Sequence, residues 1–304
     1  MNQNGGGSRR VGIGPPAYRL PVATRVGAVR LQVVDLDRSI EYYTSVIGLN
    51  VLSSASATAV LGVAKAADPL VELQCPAGVR PTARRGRFGL YHFAILLPDR
   101  AALGRFTAHL AASQVRFGMA DHLVSEALYL TDPDGLGIEV YADRSRALWR
   151  YHDGELMMAT EPLDLNGLVT AAAGSGWTGV PAGTTIGHLH LHVGDLDLAD
   201  AFYRMSLGFD KTVWSYPGAL FFSAGGYHHH LGTNTWAPGP AARDDEARLL
   251  TWELVVPTAG DARAAAASLI GSGYDACRDE QGRWWADDPW GTRVLIRTDA
   301  RVGP

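Results

Sequence analysis

Between His122 and Glu139 the chain reads HLVSEALYLTDPDGLGIE, and three of these side chains are equipped for chemistry. His122 and Tyr129, seven residues later, can each donate and accept a hydrogen bond. Glu139, ten residues beyond the Tyr, can act as a base or ligate a cation. Two further histidine groups stand out. His188, His190 and His192 alternate with leucines, so on a strand they share one face. His228-His229-His230 is a continuous run inside the chain. On a strand, either His229 or the other two would face inward, and the pattern leaves both open.

These groups need rigid elements behind them. Ala127 to Thr131 alternates in the manner of a strand, Asp132-Pro133-Asp134-Gly135 is strong turn chemistry, and Ile138 to Tyr141 resumes a strand. The stretch therefore reads as a β-hairpin. Glu139 then sits among apolar neighbours, and a buried carboxylate must be paired or hold a metal.

The rest of the chain repeats one pattern. A strand over Val26 to Val34 ends at Asp35, which suits a helix N-cap, and a helix runs from Arg38 towards Gly48. The pattern returns at Thr185 to Asp197. Aligned without gaps, Ala28 falls on His188, Asp35 on Asp195 and Tyr43 on Tyr203. Weaker copies open at Gly89 to Pro98, which contains His92, and at Leu249 to Pro257. Each runs into an Ala-rich helix and a hairpin with Asp-Pro at its turn. An internal repeat fixes the architecture: four strand–helix–three-strand modules, an α+β fold. We expect a flexible tail over 1–24 with a docking point near Tyr18 to Leu20, and one pair of modules over 25–142. A packed linker over 143–184 follows, with a short helix over Leu163 to Ala173 capped by Asp164, and then a second pair of modules over 185–299.

The spacing of His122, Tyr129, Asp132-Pro133, Gly135 and Glu139 resembles the signature of the type I extradiol ring-cleavage dioxygenases, with Ala120 as the one departure. The four modules resemble the vicinal oxygen chelate superfamily over roughly 25–142 and 185–299. That resemblance implies βαβββ modules forming two barrel-like domains, with a metal held by first and last strands of paired modules. It implies Glu139 as a metal ligand and His122 and Tyr129 as catalytic residues beside the substrate. The first-strand position reads Ala28, His92, His188 and Thr251. The last-strand position reads Glu72, Glu139, one of His228 to His230, and Leu295. His92, His188 and Glu139 make a two-His-one-carboxylate set, the donors of non-haem Fe(II) oxygen chemistry, with Mn(II) as the alternative. The family's His-His pair, which supplies an acid–base catalyst, selects His229 when laid on the His run.

The implied activity is Fe(II)-dependent meta cleavage of a catechol by dioxygen, giving a muconic semialdehyde. Two other readings stand beside it. A glyoxalase-type metal-dependent lyase or isomerase would want more carboxylates. A metal-free binding protein of the bleomycin-resistance type would use an aromatic groove, for which eight Trp and eleven Tyr offer material. Module pairing bears on this choice. Joining modules one with two and three with four would separate His92 from His188. Nested pairing, two with three and one with four, gathers His92, Glu139, His188 and His229 and leaves Ala28, Thr251 and Leu295 together. We therefore expect nested pairing, a single metal centre between the sequence halves, and Glu72 as a remnant of the repeat with a structural partner.

Composition narrows the partners. A net charge of −4 with scattered basic residues argues against nucleic acid; the densest basic run is Arg84, Arg85 and Arg87, read as a solvated loop. Cys75 and Cys277 fit no metal spacing and read as reduced thiols. No apolar run has the length of a membrane span, and the N-terminus lacks a signal-peptide core, so a cytoplasmic enzyme is expected. A small aromatic diol and dioxygen are the expected partners, and a homo-oligomer is left open.

Overall fold

In the computed structural model, the described residues are 11–299 apart from 67, 83–85, 173, 175 and 238. Their strands fall into two eight-stranded sheets and a two-stranded ribbon. One sheet runs Cys277–Arg278, Trp284–Asp287, Arg293–Thr298, Arg248–Val256, Arg25–Gln32, Pro69–Gln74, Thr58–Gly62, Asn50–Ala55. The other runs Asp210–Val213, Ala219–Ser223, Leu231–Asn234, Thr185–His192, Gly89–Leu96, Gly137–Asp143, Ser125–Thr131, Gly118–Asp121. Modules one and four make the first sheet and modules two and three the second. Pairing is nested, as the distribution of candidate ligands implied. The grouping by sequence halves, 25–142 and 185–299, describes the repeat but not the sheets.

At the centre of each sheet two first strands meet antiparallel, His190 opposite His92 in one and Arg30 opposite Thr251 in the other. Strand alternation then sorts the faces. Phe93, Ile95, Leu189 and Leu191 enter the apolar core that the two sheets share. His92, Ala94, His188 and His190 take the opposite face of the second sheet.

The helices start where their caps dictate. Asp35, Asp99 and Asp195 accept from backbone N–H groups three residues on, and Thr258 with Asp261 forms a capping box. After the first and third of these caps the helix widens into a π-helical segment, Tyr42–Val46 and Asp200–Ser206. These segments carry the residues that tie the sheets together. Tyr43 Oη donates to Asp132 Oδ2 at 3.1 Å, and Tyr203 Oη to Asp288 Oδ2 at 2.7 Å. Each bond joins a helix of one sheet's module to the Asp-Pro turn of the other's. Burial pushes both carboxyls up, each to about 6. Asp132 also accepts from the Asp134 and Leu136 N–H groups, so the turn motif serves here as a structural staple.

A helix of the segment 143–184 packs against the second module. This helix spans Leu165–Ala171, capped by Asp164, and Leu168 is buried. It crosses the helix Arg100–Ala112 at Gly104, where a Cβ would meet the Leu168 carbonyl oxygen at 2.2 Å, so only glycine permits the approach. Ala173 lies outside the described residues.

Residues 1–10 of the tail lie outside the described residues, and the described part docks at and before the point expected near Tyr18 to Leu20. Residues 11–24 are bonded rather than free: Ile13 bridges Lys211, and Leu20 is buried with its N–H on the Gly208 carbonyl at 2.8 Å. The sequence hides this because the partners come from the third module. Arg84 and Arg85 lie outside the described residues, and Arg87 pairs with Glu246 at 2.8 Å. Cys75 and Cys277 are free thiols. No helix among the described residues is long and apolar enough to cross a membrane.

Candidate active site

Three strands of the second sheet bring His92, Glu139 and His188 together. Ala94 stands beside both Glu139 and His188 in the register, and its small side chain leaves the space above the sheet open. His92 Nε2 lies 3.0 Å and His188 Nε2 3.1 Å from the same oxygen, Glu139 Oε2. All three side chains are almost fully buried. Burial opposes the charge on Glu139, yet the His188 and His92 nitrogens beside it hold the carboxyl well below its usual range. Burial meanwhile pulls His188 down to about 4 against the pull of Glu139. The group is thus a buried carboxylate flanked by an imidazole that resists protonation.

Such a donor set fits a divalent cation. Neutral imidazole and ionised carboxylate are the forms that ligate. Two cis ligands at bonds of roughly 2.1 Å stand about 3.0 Å apart, which is the spacing of both nitrogens from the oxygen. A cation would also balance the one formal charge that burial leaves exposed to cost.

His122 and Tyr129 form a pair on the next wall. His122 Nε2 and Tyr129 Oη are 2.5 Å apart, and His122 Nδ1 lies 2.7 Å from the Ala159 carbonyl. That carbonyl can only accept, so Nδ1 carries the proton and Nε2 accepts from the phenol. Tyr129 is directly across the hairpin from Glu139. A turn at Leu123, with φ of 68°, swings His122 back over the sheet.

The His run lies off the strand, and here the sequence reading needs correction. Gly225 and Gly226, both at positive φ, end the preceding strand, and the next begins at Leu231. No alternation applies between them. All three rings are buried and each has its own direction. His228 bonds Asp143 Oδ1 at 2.9 Å and His229 Nδ1 at 2.7 Å, His229 lines the cavity, and His230 accepts from the Ala224 N–H. The last-strand position of module three is therefore not one of these histidines. The register puts Gly232 there, opposite His190, just as Glu72 pairs with Arg30. A Cβ on Gly232 would meet the His190 ring at 2.9 Å. Glu72 itself holds Arg30 at 2.7 Å, the structural partner expected of it.

A cavity of about 300 Å³ joins these groups: His92, Glu139, His122, Tyr129, His190 and His229 all line it. Its remaining walls escaped the sequence reading. Tyr216, Phe221 and Trp236 come from module three, Met158 and Thr160 from the linker, and Met119 from the strand before His122. Tyr216 and Thr160 share a hydrogen bond of 2.8 Å that closes the wall. Asp143 was also missed, although it follows Glu139 by four on one strand and must share its face.

A family model for the Glyoxalase/Bleomycin resistance protein/Dioxygenase superfamily matches residues 25–140. A curated relative, the catechol-2,3-dioxygenase of Bacillus subtilis (strain 168), is 48% identical over 217 residues, covering 70% of this chain and 75% of its own. A crystal structure from Bacillus subtilis subsp. subtilis str. 168 superposes with a TM-score of 0.63 at 12% identity, over 93% of this chain and 87% of the other. Glyoxalase I from Zea mays gives 0.52 at 18% identity, over 90% and 92%. At such identities the two structures share the fold alone with this chain.

Proposed function

The chain belongs to the glyoxalase/bleomycin resistance protein/dioxygenase superfamily, and from that premise we propose that it cleaves a catechol in the extradiol manner with dioxygen, giving a muconic semialdehyde. One observation carries this reading within the superfamily. The His122–Tyr129 pair stands on the wall of the same cavity as His92 and Glu139, where it can address substrate oxygens. A lyase of the glyoxalase type has no use for that pair and would want a further carboxylate, where this chain has Gly232.

His92, His188 and Glu139 would hold Fe(II), with Mn(II) as the alternative. When bound, such an ion offers open positions at which vicinal hydroxyls and dioxygen are brought side by side. The protein's own groups do the rest. The aromatic walls at Phe221, Trp236 and Tyr216 grip the ring and keep water from the reacting centre. Tyr129 stays a phenol because burial raises its pKa well above the usual value; its proton is held by His122 Nε2, so its oxygen is left to accept from a substrate hydroxyl. His229 takes the proton of a substrate hydroxyl and returns it to the oxygen that departs.

The test is anaerobic purification with iron, followed by oxygen uptake and product absorbance on a panel of catechols. The expected result is one dioxygen consumed per catechol, with a yellow product. Iron-loaded protein that consumes no oxygen with any catechol would overturn the proposal.

A further inference from the structure

Asp143 ends the strand Gly137–Asp143 and shares a face with Tyr141 and Glu139. One rigid element thus carries a candidate ligand and, four residues on, a second carboxylate aimed at the His run. Asp143 Oδ1 takes His228 Nε2 at 2.9 Å and the Tyr227 hydroxyl at 3.1 Å, and Tyr227 Oη is 2.6 Å from Tyr141 Oη. His228 Nδ1 is 2.7 Å from His229 Nδ1. The space for this network is built in. At Gly187, one residue before His188, a Cβ would meet Tyr141 Oη at 1.8 Å.

With His228 neutral, the donors and acceptors allow one assignment. A carboxylate only accepts, so His228 carries its proton on Nε2, and a neutral ring then has only a lone pair on Nδ1. His229 must therefore donate from its own Nδ1. That leaves Nε2 as the acceptor nitrogen of a ring that lines the cavity. We propose that Asp143 and His228 are positioning residues that fix His229 in the tautomer able to take a proton from the substrate hydroxyl. The proposal rests on the acid–base reading of His229 given above. In the step itself the substrate O–H bond breaks and an Nε2–H bond forms. The proton goes back from Nε2 to the departing oxygen, so the relay ends as it began.

The test uses the iron-loaded enzyme with catechol. His228→Phe should lower kcat on the order of 100-fold while iron content and KM stay within about threefold of wild type. His228→Gln, whose amide oxygen can still accept from His229 Nδ1–H, should recover at least about tenfold of that loss. Asp143→Asn keeps the size, and with its amide nitrogen in the place of Oδ1 both His228 Nε2 and the Tyr227 hydroxyl must accept there. Both rings then reverse, Nε2 of His229 becomes protonated, and kcat should fall about as far as in His228→Phe. The double variant His228→Phe/His229→Ala should be no slower than His229→Ala, because both act in one unit. Should His228→Phe not fold, Asp143→Asn and His228→Gln decide the matter. Wild-type kcat in His228→Phe or Asp143→Asn, or losses that multiply in the double variant, would overturn the relay while leaving His229 as acid–base catalyst. Wild-type kcat in His229→Ala would overturn that reading and the relay with it.

Discussion

Tyr43→Phe tests whether the Asp-Pro turn is a staple between the sheets. The hydroxyl is fully buried and is, among the described residues, the one side-chain donor to Asp132 Oδ2, since the backbone bonds fall on Oδ1. Burial raises the Asp132 carboxyl from 3.8 to about 6, about two units, or roughly 3 kcal/mol by which its ionisation is disfavoured in the fold. The sign follows: the folded pKa lies above the unfolded one, so this contribution is fully present below about 3.8 and is lost as the pH rises through about 6. At pH 7.5 the group is ionised and the Tyr43 bond is charge-assisted; losing it should cost ~2–3 kcal/mol. At pH 5 most of the group is protonated, and the loss should shrink to ~1 kcal/mol. Denaturant unfolding of both proteins at the two pH values measures the difference. A cost below about 0.5 kcal/mol at pH 7.5, or an equal cost at both, would refute the reasoning.

Other outcomes follow from the same geometry. Glu139→Gln should leave the fold in place but weaken metal binding by at least about 100-fold, measured by metal content after dialysis, because the one buried charge among the candidate ligands is gone. Tyr129→Phe and His122→Phe should each retain metal and lose on the order of 10²-fold in kcat, since their bond faces substrate oxygens; unchanged kinetics in both would remove them from the chemistry. Among the described lining residues Glu139 alone is formally charged and none is Lys or Arg. A carboxylated catechol would therefore bring an uncompensated charge into the cavity, and its kcat/KM should fall at least about tenfold below that of a methyl-substituted one.

What could be read in the sequence was what depends on local period and on repetition. The equal offsets of Ala28, Asp35 and Tyr43 from His188, Asp195 and Tyr203 define the modules, and the caps at Asp35, Asp99 and Asp195 start helices as their residue type demands. The nested pairing followed from asking where ligands would be useful. The His run escaped because period-two logic fails once Gly225 and Gly226 turn the chain. The cavity walls escaped because Met158, Thr160, Tyr216 and Trp236 meet only in the fold. Alternation tells which face a residue takes, not what will stand opposite.

The first sheet explains why only one centre was to be expected. At the position of Glu139 it has Leu295 beside Glu253, and Glu253 accepts from the Ala28 N–H at 3.0 Å and from Arg297 at 2.6 Å. Glu72, the other carboxylate at a ligand position, is held by Arg30 from the place that His190 takes in the second sheet. Arginine stays charged at any working pH, so both carboxylates are neutralised within the protein and have no need of a cation. In the second sheet the residue beside Glu139 is Ala94, which can neutralise nothing. The two sheets thus solve the same problem, a carboxylate at the mouth of a curled sheet, in opposite ways. One supplies the counter-charge from its own chain and becomes scaffold. The other sets His92 and His188 beside Glu139, a donor set that fits a cation, and the buried Tyr43–Asp132 and Tyr203–Asp288 bonds hold it against that scaffold.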